Sequence, residues 1–408
     1  QYNTRVPGHH DFLPGADSMR SATFIQRLSI GLCAILFPML AAGAAEEHSY
    51  SLFDGKTLNG WTAENGCKAS VKDGVILLEA GNGWLRTDHK YADFKLHLEW
   101  KALQEQKYDA GIYLRTPLGG SPFPKNGYQA NLLQGKEGNI GNLPGAASTG
   151  LANPFGQWNT FDFTVIGDVV QLKINGKQAY KAAGIANKTG YIGIQIEVPL
   201  GGQFLLKNIH VTELGHRSLF NGKDLAGFEG AGEPAEKCWA VEDGVLVGLK
   251  TKGPWLRTKE EYEDFNLRLE YRVDAGANSG IYVRVPADGN HHRNNDMLPP
   301  AGFEVQILDD FAEKYSKLKP YQYCGSVYDI AGAKKHVGRS AGEWNTLELN
   351  CNGHHITSTH NGVVIVEVTA DEFPLIMLRK TKGFLGLQNH GGGVAFRNIR
   401  VAPALPTE

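Results

Sequence analysis

Apolar and polar residues alternate with a period of two along most of this chain. The segment FNLRLEYRV, which starts at Phe265, alternates without a break, as expected of a β-strand with one buried face. Segments such as VEDGVLVGL and LKINGKQAY indicate pairs of strands joined by Asp-Gly and Asn-Gly turns. No stretch of ten or more residues has a convincing helical stripe, and FAEKYSKL after Asp310 predicts at most one short helix. The chain is therefore predicted to be all-β.

The same pattern is written twice. The segment LFDGKTLNGW at Leu52 returns as LFNGKDLAGF at Leu219, and WLRT occurs in both halves. Further pairs follow in the same order: KDGV and EDGV, DFKLHLEW and DFNLRLEY, DAGIYLR and NSGIYVR, GQWNT and GEWNT, KNIHV and RNIRV. We therefore expect two tandem β-sandwiches, a first copy over residues 49–214 and a second over residues 217–402. The segment ELGHRS between them is too short for a long flexible linker, so the copies are expected to touch.

A duplication supplies an internal control, because features kept by both copies are expected to serve the fold and features kept by one are candidates for function. Three strands of the second copy, GIYVRV, GFEVQILDD and FLGLQNHGG, can be phased by their apolar residues, which point to the core. If they share a sheet, its outer face carries Tyr282, Arg284, Glu304, Gln306, Gln388 and His390. Such a polar face on a curved sandwich is a common place for a sugar to lie.

The first copy keeps only part of this face. Tyr and Arg recur there as Tyr113 and Arg115. Three other positions change type, since Glu304, His390 and Asp309 correspond to Gln129, Glu197 and Gln134. The second copy alone keeps a Glu–His pair that could transfer protons, so it is the predicted catalytic copy. The first is a degenerate copy that packs against the second or helps to bind substrate. The alternative is that surface residues have drifted between duplicates without consequence.

Several motifs of the second copy resemble one known family. The segments LFNGKDLAGF, WLRT, ANSGIYVRV, GFEVQILDD, GEWN and GLQNHGGGVAFRNIRV look like the 3-keto-disaccharide hydrolase domain family. The resemblance covers nearly all of residues 217–402 and, more weakly, 49–214. It implies concanavalin-like jelly-roll sandwiches, often in exported bacterial proteins, that act on glycosides oxidised at C3. The second copy matches the family motif at Glu304, Gln306, Asp309 and His390, whereas the first copy departs from it.

The implied chemistry suits these residue types. A ketone at C3 acidifies the hydrogen on C2, so a base can remove it and the glycosidic oxygen at C1 then leaves by elimination. Hydration of the product completes a net hydrolysis. His390 or Glu304 is the candidate base, and histidine is favoured because its ordinary pKa lies near neutrality. Arg284 is the candidate stabiliser of the enolate, and Asp309 could orient a partner or protonate the leaving oxygen.

Other assignments follow from the same face. The expected substrate-binding residues are Tyr282, Gln306, Gln388 and Asn278. A divalent metal held by Glu304 and His390 could replace Arg284 as the stabiliser. The mechanism of an ordinary glycosidase is disfavoured. The carboxyl groups of Glu304 and Asp309, five residues apart on an extended strand, would lie roughly 16 Å apart, which exceeds the separation between the two catalytic carboxyl groups of such enzymes. The rival function is that of a non-catalytic carbohydrate-binding protein.

Some candidates carry a structural alternative. His291 and His292 lie in a polar insert of the second copy, either as loop residues or as contacts at the rim of a ligand site. Trp84 and Trp255 could stack on sugar rings, but their presence in both copies favours core packing. Arg284 also recurs, as Arg115, which makes a structural ion pair the alternative to a catalytic role.

The N-terminal region predicts export. Residues 1–18 precede Met19 and are treated as a non-native upstream segment, and residues 19–45 have the charged start, apolar run and small-residue end of a signal peptide. We expect a periplasmic or extracellular protein with no membrane association after cleavage. The net charge of −2 and the absence of a basic stripe argue against nucleic-acid binding. A disulfide between Cys324 and Cys351 is left open.

Overall fold

The alternating segments form antiparallel β-strands in the computed structural model, which describes residues 47–198, 202–251, 253, 255–291 and 300–405. The strands of the first copy are β1 (Glu47–Ser51), β2 (Trp61–Glu64), β3 (Lys68–Lys72), β4 (Val75–Tyr91), β5 (Phe94–Ala102), β6 (Gly111–Thr116), β7 (Tyr128–Asn131), β8 (Asn159–Ile166), β9 (Val169–Ile174), β10 (Lys177–Ala183), β11 (Gly190–Val198) and β12 (Phe204–Ser218).

The second copy repeats this order. Its strands are β13 (Phe228–Gly230), β14 (Trp239–Glu242), β15 (Val245–Gly248), β16 (Leu256–Tyr262), β17 (Phe265–Val273), β18 (Asn278–Val285), β19 (Phe303–Leu308), β20 (Asn345–Asn352), β21 (His355–His360), β22 (Val363–Val368), β23 (Gly383–Leu387) and β24 (Val394–Ala402). Short 3₁₀ turns cover Ala235–Lys237, Glu313–Tyr315, Pro320–Gln322 and Pro374–Leu378. The segment FAEKYSKL thus forms only a three-residue turn, and Phe311 within it is 64% exposed, so no apolar face is buried that could support a longer helix.

Each copy is a sandwich of two antiparallel sheets, as the alternation predicted. In the first copy β10, β9, β8, β5 and β12 form one layer, and β2, β4, β11, β6 and β7 form the other. In the second copy the corresponding layers are β22, β21, β20, β17, β24, β15 and β14, and β13, β16, β23, β18 and β19. The Asp-Gly and Asn-Gly segments form the expected hairpins β14–β15 and β9–β10. The predicted all-β fold is confirmed.

The core of each sandwich is built from the alternating apolar residues. Phe265, Leu267 and Leu269 of β17 lie in the core of the second copy, as their phase predicted. The opposite face of β17 is also buried, at Asn266 and Arg268, because it packs against the first copy rather than solvent.

The copies are joined by a strand. The segment Glu213–Ser218 is the end of β12, whose earlier residues pair with β1 and β5 of the first copy. Its last two residues, Arg217 and Ser218, pair with Val401 and Arg400 of β24 in the second copy. The described chain from residue 47 onwards therefore forms one compact unit.

Buried ions lie where the copies meet. Glu213 is 2% exposed and accepts hydrogen bonds from Arg400, at 2.7 and 3.0 Å, and from Tyr50, at 2.7 Å. Arg268 bridges Glu213, at 3.4 Å, to Glu348, at 3.1 Å. These pairs hold the pKa values of both carboxyl groups well below the ordinary range, even though burial alone would raise them. The interface is therefore a paired ionic cluster.

Other sequence expectations concern the ends and the thiols. The upstream segment 1–18 and the predicted export signal over 19–45 lie outside the described residues. Within the described ranges, no helix is both long enough and apolar enough to cross a membrane. Cys67, Cys238, Cys324 and Cys351 are all buried free thiols, so the disulfide left open for the last two is not formed.

Candidate active site

The three phased strands of the second copy are neighbours in one sheet. Glu304 on β19 pairs with Tyr282 on β18, and Gln306 pairs with Gly280. On the other side of β18, Leu387 of β23 pairs with Ile281. This register brings five predicted side chains around one pocket of about 190 Å³: Asn278, Glu304, Gln306, Gln388 and His390.

Glu304 is the most unusual ionisable group in the pocket. Its side chain occupies space left by Gly280, where an added Cβ would overlap the carboxylate. Burial, and secondarily the negative charge of Asp329, raises the pKa of Glu304 to about 8. In the described part of the chain, no group donates a hydrogen bond to this carboxylate, and the nearest basic side chain is that of His291, whose Nε2 lies 3.7 Å away and is charged only when protonated. Glu304 is therefore largely protonated at neutral pH and can present an acidic O–H to a ligand.

Amide side chains hold each other in place around Glu304. Gln306 Nε2 donates to Asn278 Oδ1 at 2.9 Å, and Gln388 Nε2 donates to the Tyr282 hydroxyl at 3.0 Å. Gln388 Oε1 is buried without a hydrogen-bond partner among the described residues. The pocket thus offers oriented polar groups suited to sugar hydroxyls.

Tyr282 supports the pocket from below. It is buried, its ring stacks on that of His291 with centroids 4.3 Å apart, and it also packs in a T-shaped arrangement against Trp255 with centroids 5.2 Å apart. Tyr282 is not among the residues that line the pocket and instead positions His291 and Gln388, while its contact with substrate stays a prediction. His390 lies just after β23 and is exposed at the rim.

Arg284 does not reach the pocket, which corrects its prediction as an enolate stabiliser. The alternation of inward and outward side chains breaks at Arg284, because β18 bulges between Tyr282 and Val285 and Arg284 adopts φ +51°. Its guanidinium donates to the carbonyls of Glu263, at 2.7 Å, and Gly353, at 2.5 Å, and pairs with Asp264 at 3.2 Å.

Arg115 makes the same set of contacts in the first copy. It has φ +43°, donates to the carbonyls of Ala92 and Gly167, and pairs with Asp93 at 2.6 Å. The duplicated arginine is therefore a structural clamp at the bulge in both copies.

Asp309 also lies outside the pocket lining. Its Oδ2 accepts from the Gly276 backbone N–H at 2.8 Å, and its Oδ1 accepts from the Phe311 N–H at 3.2 Å. In the first copy Gln134 Oε1 accepts from the Lys107 N–H at 2.7 Å, so both residues fasten the same turn. In this structure Asp309 fastens a loop, and its role toward a partner or a leaving group stays a prediction.

Besides two leucines, four residues of the pocket lining were missed or only weakly indicated by the sequence: His291, Tyr315, Gln322 and Tyr328. His291 comes from the polar insert between β18 and β19, and the other three come from the long irregular segment between β19 and β20. Gln322 Nε2 donates to the Tyr328 hydroxyl at 2.9 Å. For His291, the rim-contact alternative is the one that its position supports. The presence of extra residues in the second copy was the available signal for a site. Because these segments are irregular, they have no periodicity that would indicate which of their side chains face the pocket.

The equivalent place in the first copy is closed by its own side chains. Gln129 Nε2 donates to Gln195 Oε1, and Gln195 Nε2 donates to Glu197 Oε2 at 2.9 Å. Beside this chain, Trp84 and Tyr113 pack edge to face with centroids 5.5 Å apart and are buried. The polar groups satisfy one another, in contrast to the unbonded carboxyl group of Glu304.

A metal would have few protein ligands here. Glu304 and His390 both line the pocket, so the predicted pair could contact one ion. Across the described residues, no group of three or more His, Cys, Asp or Glu side chains comes together in a way that could hold a metal. A bound divalent cation would therefore need water, substrate oxygens or the amides of the pocket to complete its ligand shell.

A β-sandwich whose pocket holds a carboxyl group, an imidazole and several amides offers the polar groups that suit a sugar ligand. The model of the 3-keto-α-glucoside-1,2-lyase-like domain matches residues 48–212 and again residues 215–402. The chain belongs to this family and carries two copies of its domain.

Each of the related proteins described below aligns with a part of this chain that is about as long as one copy of the domain. A 3-keto-disaccharide hydrolase of Bacteroides thetaiotaomicron is 26% identical over 225 residues, which cover 46% of this chain and 78% of that protein. A solved Parabacteroides distasonis protein assigned as a glycosyl hydrolase is 31% identical, with a TM-score of 0.38, over 46% of this chain and 98% of its own. A carbohydrate-binding module from Bacillus subtilis is 15% identical, with a TM-score of 0.29, over 38% of this chain and 96% of its own.

Proposed function

We propose that the second copy cleaves glycosides oxidised at C3, by removal of the C2 proton, elimination of the C1 oxygen and hydration of the product. The observation that carries the proposal is Glu304, a buried carboxyl group with a pKa near 8 that opens onto a pocket, where the first copy has the amide of Gln129. Membership of the family and the name of its 3-keto-disaccharide hydrolase relative support the substrate class.

The role assigned to Glu304 is to donate a hydrogen bond to the C3 oxygen of the ketone. When the C2 proton leaves, negative charge develops on the C3 oxygen, and a neutral carboxyl group can donate a strong hydrogen bond to it. A carboxyl group that stays protonated at neutral pH because its site is desolvated is suited to this task. With Arg284 held at the bulge, Glu304 takes over the stabilising role.

His390 is assigned to the proton transfer. As base, its imidazole takes the proton from C2 while the C1–O bond breaks, and the resulting imidazolium can return that proton to the departing oxygen. Water then adds across the carbon–carbon double bond, so the overall reaction is hydrolysis. The amides of Asn278, Gln306 and Gln388 orient the ring hydroxyls.

The test is to incubate the protein with a 3-keto-disaccharide and with its unoxidised parent, each with and without a chelator. The proposal expects cleavage of the keto sugar and none of the parent. Loss of activity with the chelator and its return with added divalent metal would show that the reaction needs a metal, for which Glu304 and His390 are the candidate ligands. Binding without conversion of the keto sugar, with every divalent metal tried, would establish a carbohydrate-binding protein instead.

Export is a separate proposal, motivated by the charged, apolar and small-residue pattern over residues 19–45. Intact mass of the protein from its native host should give an N-terminus between about Ala44 and Glu47. Mature cytoplasmic protein that still carries the apolar run Leu28 to Leu40 would refute it.

A further inference from the structure

A second and larger cavity, of about 620 Å³, lies where the two copies meet. The first copy contributes the end of β4 and the start of β11, including Lys90, Lys188 and Tyr191. The second copy contributes the outer face of β20, β21 and β22. Its volume is in the range of small-molecule sites, about 300–1,000 Å³. Since both copies form its walls, a single-copy protein could not build it.

The wall from the second copy is rich in short hydrogen-bonding side chains. Thr357 and Thr359 alternate with the buried residues of β21, so their hydroxyl groups face the groove. His355 begins the same strand, and Asn350 lies on the neighbouring strand β20. Tyr191 adds an aromatic side chain from the first copy. The threonine hydroxyl groups and the tyrosine ring are suited to the hydroxyl-bearing faces of sugar rings, whereas the amide of Asn350 is already bonded at both ends to the backbone of Leu405.

The carboxylates of the groove already have partners. Asp93 pairs with Arg115 at 2.6 Å, and Asp88 pairs with Arg339 at 3.3 Å. Glu367 contacts His355 at 2.9 Å. The buried Glu213 and Glu348 are paired within the ionic cluster described above. Four of these acids are thus paired with an arginine, and Glu367 is paired with a histidine that is charged only when it is protonated.

Two cations of the groove lack such partners. Lys90 and Lys188 are exposed, and neither ammonium group has an ion pair or hydrogen bond with another described residue. They lie on the same wall, because Lys90 pairs with Tyr191 in the β4–β11 ladder and Lys188 lies shortly before that strand. The two ammonium groups of the groove that have no ion-pair partner among the described residues therefore lie on one wall.

We propose that this groove binds an acidic oligosaccharide of about two sugar units, with a uronate carboxylate on Lys90 and Lys188 and ring hydroxyls on Thr357 and Thr359. The site is independent of Glu304, so it holds whether or not the second copy has the proposed activity. It gives the tandem arrangement a role in holding a glycan that one copy alone could not.

The experiment is titration calorimetry of the whole chain with digalacturonic acid and with neutral digalactose of the same linkage. We expect the acidic sugar to bind at least about tenfold more tightly than the neutral one, and its affinity to fall as salt rises. The double variant Lys90→Ala/Lys188→Ala should lose at least about tenfold in affinity, as should Thr357→Ala/Thr359→Ala. Lys173→Ala, which removes an exposed lysine on β9, is the matched control and should bind as wild type does.

Glu304→Gln should leave this affinity unchanged, which separates the groove from the pocket of the second copy. The proposal is overturned if the acidic sugar does not bind, if the neutral sugar binds equally well, or if the lysine pair can be removed without effect. Loss of binding in Glu304→Gln but not in the lysine variant would assign the sugar to the pocket and would also overturn it.

Discussion

The second copy places a carboxyl group, Glu304, over a pocket, whereas the first copy places the amide of Gln129 in a closed chain of side-chain hydrogen bonds. Around this difference the two copies share their framework. Arg115 and Arg284 clamp the same bulge through equivalent contacts. Residues that both copies keep therefore identify the structural framework of the domain, whereas a residue that differs between the copies is only a candidate for function. Asp309 shows the limit, because it differs from its counterpart in type and still fastens the same turn.

The largest expected effect is on turnover. Glu304→Gln replaces an acidic O–H by a weaker amide donor, and His390→Ala removes the proposed base. Each should lower turnover of a 3-keto-glycoside by about two orders of magnitude or more, measured by steady-state kinetics. The matched change in the first copy, Glu197→Ala, should have little effect. Full turnover in both second-copy variants would show that the site lies elsewhere.

The arginine clamps should behave alike. Arg115→Met and Arg284→Met each remove a buried guanidinium that donates to two backbone carbonyls and pairs with an aspartate, so each should lower the free energy of unfolding by about 2 kcal/mol. Chemical denaturation measures this loss. Folded Arg284→Met should keep its turnover under conditions where it is fully folded. A selective loss of turnover in that variant alone would return Arg284 to catalysis.

Two glycines allow a matched test of how Glu304 is positioned. A Cβ at Gly280 would overlap Glu304, and a Cβ at Gly111 would overlap Gln129 in the same way. Gly280→Ala should displace the carboxyl group and lower turnover by about tenfold, by analogy with misplaced catalytic groups. Gly111→Ala should leave turnover unchanged. Equal kinetics of the two variants would mean that the position of Glu304 does not matter for the reaction.

The pH dependence tests the protonation state of Glu304. If its neutral form is required, turnover should fall by about tenfold between pH 7 and pH 9, because the folded-state pKa is about 8. The residual activity of Glu304→Gln should lack this fall. A rise of turnover over the same interval would instead assign Glu304 as the base.

The same pKa has a consequence for folding. Because the folded-state value lies above the ordinary carboxyl value of 4.5, the folded state keeps a proton that the unfolded chain releases. This contribution to stability is fully present below about pH 4.5 and is lost as the pH rises through 8. Denaturation at pH 6 and pH 9 should therefore show Glu304→Gln gaining stability relative to wild type at the higher pH. An unchanged difference would contradict the raised pKa.

The smallest expected effect concerns the hairpin turn that touches the other copy. Gly176 and Gly362 occupy equivalent Asn-Gly turns, both at φ +75°. A Cβ at Gly176 would meet nothing within 4 Å, whereas one at Gly362 would lie 2.9 Å from the carbonyl oxygen of Asp88. Alanine at either site costs about 1 kcal/mol for the left-handed backbone, so any further loss at Gly362 measures the contact between copies. Equal losses would show that this contact is easily relieved.

The fold was largely predictable because period-two alternation and Asn-Gly turns are local signals. The phase of β17 placed Phe265, Leu267 and Leu269 in the core correctly. The sequence could not show that Asn266 and Arg268 on the other face would be covered by the first copy, because that burial depends on how two sandwiches pack. The joint at Glu213 similarly gave no sign that it would continue as a strand.

The site was predictable only as far as regular strands extend. Glu304, Gln306 and Gln388 were grouped correctly because alternation holds along β19 and β23. Arg284 was misplaced because one bulge inverts the parity of a strand, and nothing in GIYVRV announces a bulge. His291 and Tyr328 come from inserts, where the direction of a side chain depends on tertiary contacts.

The continuity of β12 through both sandwiches limits how this protein can be divided. A fragment cut at the repeat boundary near Arg217 would lose the strand that pairs with β24 at Val401 and Arg400. It would expose a stretch of unpaired backbone, the kind of open strand that recruits other chains into aggregates. The buried Arg400 would also lose Glu213, its carboxylate partner. Deletion of either copy from the tandem protein would therefore destabilise the copy that remains, even if the deleted copy had no site of its own.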